Sequence, residues 1–287
     1  MKVDRQYVRR PDGTRRTALI TGAGSGIGRE LCRRYHAAGF DLVAASLLGS
    51  ELACLKEELD AKSSGQHVRV FQVDLAQADA AQAVLDFCDE NGIRVDVLVN
   101  NAGFGLAGRF VDQPMSRLRE MLALNVVTTT ALSHAFGGRM RQRGSGMILN
   151  VASTIAFQPL PFWAVYAGSK AYVSSFTQAL AGELRPFGVH VACLYPGTTA
   201  TRFLDTAGIH KSVRPWSVGS LIHGAAMDPE LVAHCGFGGL LHGGRRIIPG
   251  LINKLHFILI KLIPNSVILA VVHGFMKRYR QPNEERR

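Results

Sequence analysis

Tyr166, Lys170 and Ser153 are the residues whose types and spacing speak most directly of chemistry. Tyr166 and Lys170 stand four apart in Tyr-Ala-Gly-Ser-Lys, and Ser153 lies thirteen residues before Tyr166. If residues 164–185 form a helix, positions i and i+4 share one face. An ammonium beside the phenol favours phenolate and lowers a pKa that is ordinarily about 10. A tyrosine tuned in that way can exchange a proton with a carbonyl or alcohol oxygen. The spacing by itself also fits a plain helix-surface pair. Of the six tyrosines, only Tyr166 has Lys four residues on.

The elements that must position these groups are legible as alternating patterns. The apolar run 17–21 enters a turn holding Gly22, Gly24, Ser25, Gly26, Ile27 and Gly28, and a helical pattern follows to about Ala38. Glycine permits positive φ and close backbone approach, and a helix N-terminus offers unpaired N–H groups to a pyrophosphate. The spacing is Gly-x-x-x-Gly-x-Gly, not the common Gly-x-Gly-x-x-Gly fingerprint. Further strand-like runs occupy 41–46, 68–73, 95–99, 146–152, 189–195 and 245–248. Several are nearly all apolar, as strands covered on both faces are. Alternation with helices predicts an α/β fold, a doubly wound parallel sheet of the Rossmann-like kind. A chain of 287 residues suits one such domain, placed at 17–250. Residues 1–16 form a basic N-terminal segment, and 251–287 a C-terminal helical extension with a basic tail.

On these motifs the chain resembles the short-chain dehydrogenase/reductase family. The matching segments are Thr21-Gly22-x-x-x-Gly26-x-Gly28, Asn100-Asn101-Ala102-Gly103, Asn125 in Leu-Asn-Val, Ser153, Tyr166 with Lys170, and Pro196-Gly197-x-x-x-Thr201. They cover residues 17 to about 202 in family order, and the match loosens beyond 205. The resemblance implies hydride transfer between a nicotinamide cofactor and a carbonyl or carbinol carbon. Tyr166 would be general acid in reduction and general base in oxidation. Lys170 would lower its pKa and hold the nicotinamide ribose. Ser153 would polarise the substrate oxygen. Asn125 would hold a water linking Lys170 to solvent. Gly22, Gly26, Ile27 and Gly28 would surround the pyrophosphate. Asp74 would accept from the adenine amino group, or cap a helix beginning near Gln77. Asn101 and Gly103 would line the adenosine ribose side, and Pro196, Thr199 and Thr201 would border the carboxamide and pyrophosphate.

The choice between NAD and NADP departs from the family pattern. Ser46 stands where NAD-using members place Asp, and Leu47 where NADP-using members often place Arg. Without an acid there is no repulsion of a 2′-phosphate, Ser25 and Ser46 could donate to it, and Arg29 could approach. The lean is to NADP, with NAD open.

Other function classes find no motif. There is no Gly-Lys pair, hence no Walker A loop, and no Gly-x-Ser-x-Gly elbow. The ten histidines form no metal-spaced cluster, so no metal is expected. Five scattered cysteines read as reduced thiols in the cytoplasm. The net charge of +11 suits an anionic partner, but no nucleic-acid motif accompanies it. Phe157, Leu160, Phe162, Trp163, Phe203 and Trp216 point to a bulky lipophilic substrate, unless several are core or interface residues. A lid is placed at about 202–227. The apolar stretches 251–263 and 267–272 are each shorter than the roughly 20 residues of a spanning helix. They suit either an amphipathic helix in the membrane interface or packing on protein. The resemblance further implies a homodimer or homotetramer built on the helices of Asn125 and Tyr166. The alternative function is a dinucleotide-binding sensor or membrane-peripheral scaffold without turnover.

Overall fold

The computed structural model describes residues 5–63, 65–199 and 226–270. The strands are β1 (Thr17–Thr21), β2 (Asp41–Ser46), β3 (Val68–Gln72), β4 (Val95–Asn100), β5 (Gly146–Val151), β6 (Val189–Leu194) and β7 (Arg246–Ile247). They form one seven-stranded sheet in the order β3-β2-β1-β4-β5-β6-β7. Every neighbouring pair is parallel. The helices longer than one turn are α1 (Gly26–Ala38), α2 (Gly49–Asp60), α3 (Ala80–Glu90), α4 (Met115–Leu122) and α5 (Thr129–Gln142). They continue as α6 (Ala164–Leu184), α7 (Pro229–Leu241) and α8 (Leu251–Leu262). The doubly wound α/β reading therefore stands. The weakest strand is β7, held only by the pairs Cys193 with Arg246 and Leu194 with Ile247.

Side-chain alternation along the strands feeds two cores, one on each face. Ala18 and Ile20 of β1 pack with Leu31, Tyr35, Leu52 and Phe237 from α1, α2 and α7. Leu19 of the same strand packs with Val84, Leu132, Phe136 and Leu184 from α3, α5 and α6. All five residues of β1 are buried, with Ala18, Leu19 and Ile20 apolar and threonine at each end. Tyr35 sits edge-on between Phe40 and Phe237, with ring centres 5.1 and 4.8 Å away. That contact fixes α7 against α1.

The chain winds outward from β1 to β3, then crosses to β4 on the other side of β1. The carboxyl ends of β1 and β4 thus carry loops that leave in opposite directions. A crevice at such a switch point is the ordinary ligand site of an open parallel sheet.

The basic N-terminal segment is anchored to the opposite edge. Asp96 is buried and accepts from the Thr17 N–H at 3.0 Å and from Arg10 Nη2 at 2.7 Å. It ties the starts of β1 and β4 together with the segment before them. Replacing Asp96 with Ala leaves a strand N–H and a guanidinium without their acceptor. The expected loss is about 2–4 kcal/mol of unfolding free energy, read from urea titration. A loss below about 1 kcal/mol would show that this anchor is dispensable.

Candidate active site

The turn after β1 is shaped by steric exclusion. Gly22 and Gly26 have φ of 65° and 53°, a region that favours glycine. A Cβ on Gly28 would collide with the Gly22 carbonyl, so α1 leaves the strand with its backbone pressed on the turn. Ser25 caps α1 in extended conformation without a side-chain capping bond, and stands exposed. The N–H groups of the first turn therefore have no capping side chain, which leaves a ready anion cradle. Thr21 and Asn101 lace this turn to the end of β4. Thr21 Oγ1 accepts from the N–H groups of Asn101 and Ala102, both at 3.0 Å. Asn101 Nδ2 donates back to the Thr21 carbonyl at 2.9 Å. The Asn101 amide thus braces the turn.

The titratable groups converge at the ends of β4 and β5. Tyr166 and Lys170 lie buried on α6, on one face as the spacing predicts. Ser153 follows β5 and caps the short turn Thr154–Phe157, and its hydroxyl is hydrogen-bonded to Tyr166. Lys170 Nζ donates to the Val151 carbonyl at 2.9 Å and lies 6.0 Å from the Tyr166 ring centre. A Cβ on Gly103 would stand 2.8 Å from Asn125 Oδ1 and 3.3 Å from Lys170 Nζ, so only glycine fits between these groups. Asn125 sits in a π-helical segment, Ala123–Thr128, which joins α4 to α5. Wide turns of this kind are frequent at functional sites. Its amide accepts from the Phe104 N–H at 3.1 Å and donates to the Phe104 carbonyl at 2.9 Å and to Ser169 Oγ at 3.1 Å. The Asn125 amide is thus satisfied largely by the Phe104 backbone, and Ser169 is a positioning partner that motif reading missed.

Burial sets the electrostatics. It pushes the Tyr166 phenol above its ordinary value, and the Ser153 hydrogen bond opposes this only in part. It also pulls Lys170 down to about 8, against a weaker opposing pull from Cys193. The expected lowering of the phenol is therefore corrected for the chain alone. Desolvation acts on both groups at once, and it outweighs the attraction that spacing suggested.

Three side chains around the expected adenosine end make local contacts. Arg29 is directed away from the crevice: its Nη2 donates to Glu58 at 3.1 Å and to Cys54 Sγ at 3.4 Å on α2. Asp74 accepts from the Ala76 N–H at 3.0 Å and from Gln77 Nε2 at 2.7 Å, a local turn. The helix that follows begins at Ala80 rather than near Gln77. The premise that no acid stands near Ser46 is corrected by Glu51. A Cβ on Gly24 would lie 2.5 Å from Glu51 Oε2 and 3.1 Å from Ser46 Oγ. A signal was present, since Glu51 falls in the first turn of α2, where the helix dipole favours acids. Its reach back over the glycine turn was not legible.

On the substrate side, Trp163 lies 5.6 Å from the Tyr166 ring, and Phe104, Leu106 and Ile155 pack beside it. Phe162 has φ 66°, the one positive-φ residue other than glycine among the described residues. Phe157 packs in tilted ring contacts with Tyr195 and Phe257, with ring centres 4.9 and 4.6 Å away. Pro196 accepts from the Thr154 N–H at 2.9 Å, and Thr199 Oγ1 donates to the Gly197 carbonyl at 3.0 Å. Thr201, Phe203, Trp216, the tail from Lys277 and all of the expected lid except Ala226 and Met227 lie outside the described residues.

The comparisons with known proteins agree with this geometry. A family profile described as short chain dehydrogenase matches residues 16–211. The probable oxidoreductase EphD of Mycobacterium tuberculosis is 35% identical over 210 residues, covering 72% of this chain and 35% of that protein. The chain thus spans about a third of that relative's length. A short-chain dehydrogenase from Sphingobium yanoikuyae in complex with NADPH superposes with a TM-score of 0.76 at 29% identity, over 95% of this chain and 99% of that one. The bulky-bulky ketone specific alcohol dehydrogenase from Comamonas testosteroni gives 0.71 at 27%, over 88% and 96%. This chain belongs to the short-chain dehydrogenase/reductase family.

The depressed Lys170 has a consequence for stability. Between about 8 and the ordinary 10.5, the unfolded chain holds a proton there that the folded chain has lost. Stability rises with pH wherever the unfolded state binds more protons. The expected outcome is that wild type gains on Lys170→Met as pH rises through this window, in denaturant midpoints. A constant difference across the window would refute a depressed Lys170.

Proposed function

We propose that the protein is an NAD(P)-dependent oxidoreductase acting as a carbonyl reductase or alcohol dehydrogenase on a bulky, apolar substrate. The observation that carries this is the trio of half-buried Ser153 and buried Tyr166 and Lys170 beside a glycine turn suited to receive a pyrophosphate. The turn fits a dinucleotide because Gly22 and Gly28 leave the backbone bare where a Cβ would clash, Gly26 holds a positive φ, and Ser25 makes no side-chain capping bond to α1. The nicotinamide dinucleotide supplies or takes the hydride when bound. Gly22, Ser25, Gly26, Ile27 and Gly28 would hold its phosphates, Pro196 and Thr199 would border its nicotinamide end, and Asp74 and Gly103 would stand along the adenosine side.

The proton chemistry belongs to the chain's own side chains. A phenol raised by burial is protonated at neutral pH, which suits Tyr166 to donate to a carbonyl oxygen. Ser153 would donate a second hydrogen bond to that oxygen and disperse the charge that develops on it. Lys170, brought down to about 8 by burial, would pass a proton back toward Tyr166. Asn125 holds the Phe104 loop against α6 and would keep a water-sized path to Lys170. The apolar ring of Phe104, Leu106, Ile155 and Trp163 supports a lipophilic substrate, as does the ketone named for the Comamonas relative.

NADP is the preferred dinucleotide in this reading and NAD the alternative, supported by the relative solved with NADPH. Glu51 works against a 2′-phosphate, because a carboxylate there repels a second anion. A homodimer or homotetramer would form on α5, α6 and the π-helical segment, where Val127 and Tyr172 are exposed. The sensor reading is not favoured, since it has no need of an intact trio.

Tyr166→Phe is expected to bind dinucleotide as wild type does in nicotinamide fluorescence. Its turnover of lipophilic ketones should fall by roughly 10²–10⁴-fold. Binding without turnover in wild type, on any carbonyl tried, would return the sensor reading. Glu51→Gln is expected to tighten NADPH about tenfold, on the order of 1.4 kcal/mol, with NADH changed far less. Equal effects on both would remove Glu51 from the discrimination.

A further inference from the structure

The helix α8 has two faces of different kinds. Its inner face is seated on the candidate site. Asn253 Nδ2 donates to the Pro249 carbonyl at 2.8 Å and lies against Gly197, where a Cβ would stand 2.7 Å from it. Phe257 packs on Phe157, which follows Ser153. The outer face carries Leu251, Ile252, Leu255, Ile258, Leu259 and Leu262, all exposed, with Ile252 at 83% and Leu262 at 76%. At 3.6 residues per turn these six make one apolar arc roughly 120° wide. No residue of α8 is buried.

The charge of the stretch of sequence that contains this helix has one sign. From residue 231 to residue 283 the sequence contains no Asp or Glu, but seven Lys and Arg: Arg245, Arg246, Lys254, Lys261, Lys277, Arg278 and Arg280. Lys254 and Lys261 are exposed on the flank of the apolar arc. Among the described residues no helix is long and apolar enough to cross a membrane. An exposed apolar arc flanked by cations alone matches the interface of a bilayer bearing anionic headgroups. A second copy of this basic surface would meet like charge. The copy contact also has a separate apolar surface, on the helices of Asn125 and Tyr166.

We propose that α8 docks the protein on an anionic lipid surface, its outer face among the acyl chains and Lys254 and Lys261 at the headgroups. Because the inner face of the same helix rests on Gly197 and Phe157, docking sets the mouth of the site at the lipid boundary. An apolar substrate could then enter from the bilayer without crossing water. The docking stands apart from the oxidoreductase reading; only this consequence for substrate entry rests on it.

The test is cosedimentation of the full chain with vesicles, a readout that needs no turnover. Wild type is expected to pellet with phosphatidylcholine vesicles containing phosphatidylglycerol, to stay in solution with phosphatidylcholine alone, and to be released by salt. The double variant Ile252→Glu, Leu259→Glu is expected to partition at least about tenfold less, with an unchanged thermal melt showing that it is folded. The proposal is overturned if wild type ignores the anionic vesicles, or if the double variant pellets as wild type does. It is also overturned if the variant turns a dimer into a monomer while wild type ignores lipid, since α8 would then join two copies.

Discussion

The lacing of β1 to β4 by Thr21 and Asn101 is the constraint on which the site depends. Parallel strands diverge at a switch point, and nothing in the sheet's own ladder holds the loops that leave it. Here one hydroxyl accepts two N–H groups, and one amide returns a bond to the turn. The glycine turn is thereby pressed so close that a Cβ at Gly28 has no room. The glycine turn and the end of β4 take their mutual position from that contact. Asp96 does the corresponding work at the amino ends of the same two strands, so both edges of the central pair are tied by buried polar side chains.

The second determinant is dehydration. Tyr166 and Lys170 are both enclosed, and a low-dielectric surrounding disfavours the charged form of each. One pKa rises and the other falls to about 8, which sets a neutral acid beside an amine that gives up its proton far more readily than an exposed lysine. Asn125, Ser169 and the Phe104 loop form the bonded frame behind them, and Gly103 is the gap that lets the frame close.

The C-terminal helix connects the site with the outside of the molecule. Asn253 and Phe257 give α8 a firm seat, while its other side gains nothing from the domain. Burial of one face of a helix usually suffices to hold it. An apolar outer face kept in addition calls for a further partner.

Much of this was legible in the chain. The strands at 17–21 and 41–46 fall at their expected bounds, because nearly continuous apolar runs bounded by Gly or charge leave little choice. The pairing of Tyr166 with Lys170 on one face follows from helical spacing, and the tight turn from its glycines. Tertiary structure decided what depends on distance across the fold. Arg29 turned toward Glu58 because α2 packs beside α1. Glu51 reached Gly24 because a helix start and a strand end meet there. Asp74 closed a local turn, which no pattern separates from a ligand contact. The direction of the Tyr166 shift was set by enclosure, and enclosure belongs to the whole fold. A sequence records which side chains are present and at what local period; their solvation and long-range partners come into being only when the sheet closes around them.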